Sequence, residues 1–148
     1  MTQFGNEILT SDFPGDDGSA DTDLMSALDV FASAPGPATR ALVVARLKSA
    51  RLLVPVVAVV TEKAEDGSDK SSEIQQVHFV SNDGRTATLA FTSIAALNEW
   101  DAVARPIPQW ARLIAQNAME LGHDALILDF ASTHRIALTQ SDLIAIVS

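Results

Sequence analysis

Residues 82–108, NDGRTATLAFTSIAALNEWDAVARPIP, decide how this chain folds. Asn82-Asp83-Gly84 is a tight-turn signal, because Asn and Gly accept positive φ at little steric cost. Residues 86–92 then alternate. Ala87, Leu89 and Phe91 share one face and Thr86, Thr88 and Thr92 the other, which is the period of a strand. Ser93 offers its hydroxyl as the N-cap of a helix predicted to run to about Val103, with Leu97 and Trp100 turned inward. Arg105-Pro106-Ile107 is predicted to be extended, since a residue before proline is driven out of the helical region. Upstream, residues 75–80 also alternate and complete a β-hairpin with residues 86–92.

Working outward toward the C-terminus, Pro108 is placed at the first position of a helix whose apolar stripe is Trp110, Leu113, Ile114, Ala118 and Leu121, stopped by Gly122. Residues 125–130, ALILDF, read as a buried strand, and a short strand is predicted over 134–138. A last helix opens at Thr139 or Ser141 with Leu143, Ile144 and Val147 on its buried side. In the other direction, residues 51–60, RLLVPVVAVV, form an apolar, β-branched run of the kind that is covered on both faces. Pro55 removes one ladder donor there, so an edge or a bulge is expected. Residues 61–72 read as a polar loop. Ahead of that run stand two helices. One starts at Asp21 or Thr22 with a stripe of Leu24, Leu28 and Phe31. The other spans roughly 37–49 with Leu42, Val43, Leu47 and Ala50 on one side. The fold class is therefore α/β (α+β-like): a single domain with a mixed sheet of about five strands, the hairpin within it and helices packed on it.

A chain of 148 residues suffices for one domain with a real core, and 47 % apolar against 20 % charged residues describes a chain that buries one. The charge of −9 is unevenly placed: residues 1–30 carry seven acids and no base, leaving twelve acids against all ten bases in the rest. Residues 1–20 are expected to be a flexible acidic tail and 21–148 the domain. A near-neutral body with an acidic tail argues against nucleic acid, whose phosphates need a basic surface. There is no cysteine, which excludes a disulfide framework and thiolate metal sites and suits a reducing compartment. The start, MTQFGNEILTSDF, has neither a basic nor an apolar leader region. The longest apolar run, 52–60, is too short to cross a bilayer. A cytoplasmic location is expected.

The apolar Leu-Leu-Val-Pro-Val-Val of residues 52–57, Asp83-Gly84-Arg85, Phe91-Thr92-Ser93, Trp100, Arg105-Pro-Ile-Pro108 and the run from Asp124 to Asp129 occur together and in this order. In that combination, over roughly residues 40–147, the chain resembles the SseB-type, or enhanced serine sensitivity, family, in particular its N-terminal domain. The resemblance implies a cytoplasmic α/β domain and carries over no catalytic residue.

Candidate chemistry is sparse. Trp100 and Trp110 with Arg105 between them could line a pocket that holds an anion against aromatic faces; as plain structure, the indoles fill core and the arginine makes a local ion pair. Thr92-Ser93 sits at a strand-to-helix corner, where backbone N–H groups can bind an anion or Ser93 can simply cap the helix. A triad of Ser93, Asp129 and one of His78, His123 or His134 lacks the Gly-x-Ser-x-Gly setting. The three histidines have no metal-binding spacing, and no glycine-rich phosphate loop or cofactor motif is present. Arg40, Arg46, Lys48 and Arg51 make a basic segment onto which the acidic tail is expected to fold, masking a partner surface. The leading reading is a non-enzymatic module that binds a protein partner or assembles with itself. The competing one is a small-molecule or anion-binding domain, or an enzymatic one, using Ser93, Trp100, Arg105 and Trp110.

Overall fold

The computed structural model describes residues 13, 15–63 and 69–148. Among them the elements run α1 (Thr22–Ser33), α2 (Pro37–Leu47), β1 (Arg51–Lys63), β2 (Asp69–Gln76), β3 (His78–Val80), β4 (Thr86–Ala90), α3 (Ile94–Trp100), β5 (Arg105–Trp110), α4 (Ala111–Glu120), β6 (Ala125–Leu128), β7 (Ile136–Leu138) and α5 (Gln140–Val147). The expected class, strands and helices packed in one α+β domain, is the one found. The strands differ in arrangement: they divide into two sheets instead of one sheet of about five. One is antiparallel with order β2-β1-β5; the other has order β3-β4-β6-β7, with β4 and β6 parallel and the outer pairs antiparallel. Among the described residues they meet at one isolated bridge, where Leu53 and Phe91 exchange backbone hydrogen bonds of 2.7 and 2.8 Å.

The predicted hairpin is real but shorter. Only His78–Val80 pairs with β4, whereas Gln75 and Gln76 belong to β2 and pair with Val57 and Val56 of β1. The predicted loop 61–72 is largely strand as well, since β1 continues to Lys63 and β2 begins at Asp69; residues 64–68 lie outside the described residues. Polarity misleads there because ladder bonds are made by the backbone, so a two-stranded ribbon needs no apolar face to pair.

Three prolines sit in the antiparallel sheet without breaking it. Pro55 lies opposite Pro106, and Leu53 lies opposite Pro108. The Leu53 N–H is given to Phe91, away from β5, so positions 53 and 55 of β1 face β5 as non-hydrogen-bonded pairs. The missing donors of Pro106 and Pro108 therefore point to the free edge of β5, where none is needed. Pro55 uses its carbonyl instead, accepting from the Val77 N–H. This also moves the start of the following helix. Pro108 is strand, not helix, and α4 begins at Ala111 with Trp110 as its N-cap residue. Ile114 and Ala118 are buried as predicted, joined by Ala111 and Ala115. Trp110, Leu113 and Leu121 are exposed.

The four-stranded sheet is covered on both faces. Ala90, Leu126, Leu128, Ile136 and Leu138 join a large core with α1, α2, α4 and α5, while Leu89 and Phe91 join a smaller one with Ala96, Leu97 and Ala104. Local signals place the helices. Asp21 caps α1 by accepting from the Asp23 and Leu24 N–H groups, Ser93 caps α3, and Thr139 with Asp142 forms a capping box on α5. In α5, Leu143 and Ile146 are buried and Ile144 is exposed.

Phe91, fully buried at the junction of the two sheets, tests this arrangement. Phe91→Ala is expected to lower the unfolding free energy in urea by about 3–5 kcal/mol, the range for emptying a large buried aromatic site. A loss below about 1 kcal/mol would mean the junction is not packed as described.

Candidate functional site

Arg51, the first residue of β1, is where the acidic segment meets the body. Its Nε and Nη2 hold both carboxylate oxygens of Asp16 at 2.8 and 3.0 Å. Nη2 also donates to the Ser19 carbonyl at 2.6 Å, and Nη1 donates to the Thr92 carbonyl at 3.1 Å. The two side chains of this pair are only 14 % and 12 % exposed, so the geometry is bidentate and partly desolvated, unlike the surface pairs that contribute almost nothing. Beyond Arg51, the Ile94 N–H donates to the Gly18 carbonyl at 2.9 Å, and the Phe13 ring lies on the Trp110 indole at 4.8 Å. Gly18 has φ +80°, where any other residue is strained, and a Cβ on it would also fall 2.2 Å from the Ile94 Cδ1 and force that side chain to move. Thus Phe13 and residues 15–21 form a strap over the start of β1 and α3.

Beside the strap runs an apolar groove. A cavity of about 430 Å³ is lined by Trp110 and Leu113 with Lys48, Arg112 and Gln116 at its rim. A second, of about 230 Å³, shares Leu113 and continues over Val56 and Ile107 along β5. Trp110 and Leu113 are 44 % and 49 % exposed, enough apolar surface at one place to distinguish it from scattered surface residues. The basic segment divides its work. Arg51 takes the strap, Arg40 pairs with Asp142 at 3.2 Å and donates to the Ala137 carbonyl, and Lys48 faces the groove.

The four residues singled out from sequence do not form one pocket lining among the cavities described. Arg105 and Trp110 are at opposite ends of β5, about 17 Å apart at the rise of a strand. Trp100 stacks on Phe91 at 5.5 Å within the smaller core. The Ser93 Oγ accepts from the Ala96 N–H at 3.0 Å as helix cap. Its neighbour Thr92 has already given its N–H to Asp129, at 2.8 Å.

Asp129 is a second polar node, fully buried and in the left-handed region at φ 53°. Its carboxylate accepts from the Thr92 N–H and Oγ1, the latter at 2.7 Å, and meets His134 Nε2 at 2.6 Å. His134 Nδ1 in turn meets Ser132 Oγ at 2.9 Å. Aspartate and histidine are paired, as a triad would require, but the serine beside them is Ser132, three residues from Asp129. The two groove cavities, the one under the strap and a fourth of about 300 Å³ over Phe79 and Ile127 are lined by none of these three residues. Chemically the node ties the end of β6 to the end of β4. A lone acid closing the apolar run ALILDF was its only sequence signal.

The remaining two histidines lie together at the other end of the sheet, their rings 5.1 Å apart. His123 is buried, with Nδ1 at 2.7 Å from Thr88 Oγ1. Burial, and secondarily His78, hold its imidazole below the ordinary 6.5, against a smaller opposite pull from Asp124.

A single α+β domain bearing an apolar, basic-rimmed groove and an acidic strap is the class these features define. The chain belongs to the SseB family: the model of the SseB protein N-terminal domain matches residues 24–145. No curated protein and no solved structure matches the chain.

Two outcomes follow from this geometry. Gly18→Ala is expected to detach the strap and leave the domain folded, seen as faster cleavage by an Asp-specific protease around residues 16–21 with unchanged circular dichroism. Equal cleavage of both forms would show that the strap is not held there. For His123 the unfolded chain binds the proton more tightly than the fold, so its contribution is whole above about pH 6.5 and is lost as pH falls through the lowered folded value. The thermal midpoint is expected to drop on acidification through that window, and less steeply in His123→Gln; parallel pH profiles would remove His123 as the cause.

Proposed function

We propose that this SseB-type domain is a non-enzymatic protein-interaction module, and that its groove at Trp110, Leu113, Lys48 and Arg112 takes an acidic, aromatic-bearing segment of a partner protein. The observation that carries this reading is the strap. The chain's own acidic segment sets an aromatic ring on Trp110 and a carboxylate on Arg51, which is the chemistry an incoming segment would offer. Exposed tryptophan and leucine supply apolar anchors, the cations of Lys48 and Arg112 select against basic partners, and a preformed groove lowers the ordering cost of binding. Residues 13 and 16 then compete with the partner for the same end of the groove.

A fluorescent peptide copying residues 7–21 serves as probe. In the full chain carrying Phe13→Ala and Asp16→Ala, it is expected to bind at least about tenfold more tightly than to the unaltered chain, by fluorescence anisotropy, and to lose that gain on adding Trp110→Ala. Equal affinity for all three forms would sink the proposal.

A further inference from the structure

Three features of the groove bear on what fills it. Its floor is apolar and continuous, because Leu113 is shared by the cavity at Trp110 and Val147 and by the one at Val56 and Ile107. Its rim is basic. Arg112 donates to the Val147 carbonyl at 3.5 Å, and among the described residues neither Arg112 nor Lys48 is paired with a carboxylate. Its head is where the strap attaches: the Phe13 ring lies on Trp110, and Asp16, three residues on, is held by Arg51. The sequence that precedes Phe13, residues 1–12, MTQFGNEILTSD, is therefore tethered at the head of the groove. It brings Phe4, Ile8 and Leu9 as apolar side chains, Glu7 and Asp12 as acids, and no base.

We propose that the chain's own residues 4–9, FGNEIL, dock in this groove and hold it closed, Ile8 and Leu9 against Leu113 and Glu7 against the Lys48–Arg112 rim. The inference rests on the groove as read above and adds how that site is regulated. Reach permits it. Leu9 and Ile8 stand four and five residues from Phe13, up to about 13 and 16 Å of extended chain. Along α4 the groove from Trp110 to Gln116 covers about 9 Å at the rise of a helix. Phe4, nine residues from Phe13 and so within about 30 Å, reaches the further cavity at Ile107. Charge is complementary, an acidic segment meeting two cations that lack carboxylate partners. Tethering favours this occupant over a second copy of the chain. A segment anchored a few residues away acts at an effective concentration in the millimolar range, well above that of free protein at micromolar levels.

The test uses the full chain, which has no cysteine of its own. Leu9→Cys with Leu113→Cys is expected to oxidise to a disulfide within one chain at least about tenfold faster than Leu9→Cys with Val103→Cys. Val103 is 86 % exposed and lies beyond the end of β5 opposite to Trp110, so it is as accessible but out of reach. A second measurement needs no cysteine. Replacing Phe4, Ile8 and Leu9 together by serine is expected to shift tryptophan emission to the red and increase its quenching by acrylamide, with unchanged circular dichroism. In a Trp110→Phe background both changes disappear, because Trp100 is packed in the smaller core. Equal oxidation rates for the two cysteine pairs, disulfides formed mainly between chains, or emission indifferent to the three serines would overturn the proposal. Peptide affinity enters neither readout, so docking of residues 4–9 and binding of a partner succeed or fail separately.

Discussion

The two hydrogen bonds exchanged by Leu53 and Phe91 are the contact on which the architecture depends. Among the described residues they are the one isolated bridge between two sheets that otherwise have separate strand orders, although both sheets contribute to the same large core. Their neighbours in sequence do the rest of the joining. Thr92, next to Phe91, reaches Asp129 with its N–H and hydroxyl, and its carbonyl accepts from Arg51, two residues before Leu53. Arg51 then collects Asp16 and Ser19. A run of polar contacts from the strap through Arg51, Thr92 and Asp129 to His134 thus follows the seam between the sheets. Phe91 and Trp100 seal it from the apolar side.

Buried polarity of this sort is stable only if every group is satisfied. Among the described residues no buried side-chain nitrogen or oxygen lacks a partner. Asp129 illustrates the balance. Its left-handed backbone and its buried carboxylate both carry a cost, and both are offset by donors from Thr92 and the ring of His134. Serine, histidine and aspartate here close a loop of six residues onto the end of a parallel strand pair. That role explains their proximity without invoking a reaction.

Edges are managed by several devices in one small domain. In the mixed sheet, β3 and β7 are three residues each, and Arg40 occupies the Ala137 carbonyl at the edge of β7. In the antiparallel sheet, proline protects β5. These choices are visible only when strand order is known, because a proline is an edge device or a fault according to where its missing donor points.

The sequence by itself determined much of the local structure: a helix start at Ser93 and others narrowed to Asp21 or Thr22 and to Thr139 or Ser141, the turn at Asn82-Asp83-Gly84, the strand character of residues 51–60 and of most of 86–92 and 125–130, and the family. Each of these rests on a side chain acting on backbone within a few residues, or on a short apolar period. Tertiary structure decided the division into two sheets, the conversion of Arg105–Trp110 into a full strand, the exposure of Trp110 and Leu113, and the separation of Arg105 from Trp110. The Arg51–Asp16 and Thr92–Asp129 contacts join residues 35 and 37 positions apart. No periodicity encodes such a pairing, because it depends on which strand lies beside which, and that is settled by the summed burial of two cores rather than by any one stretch of chain.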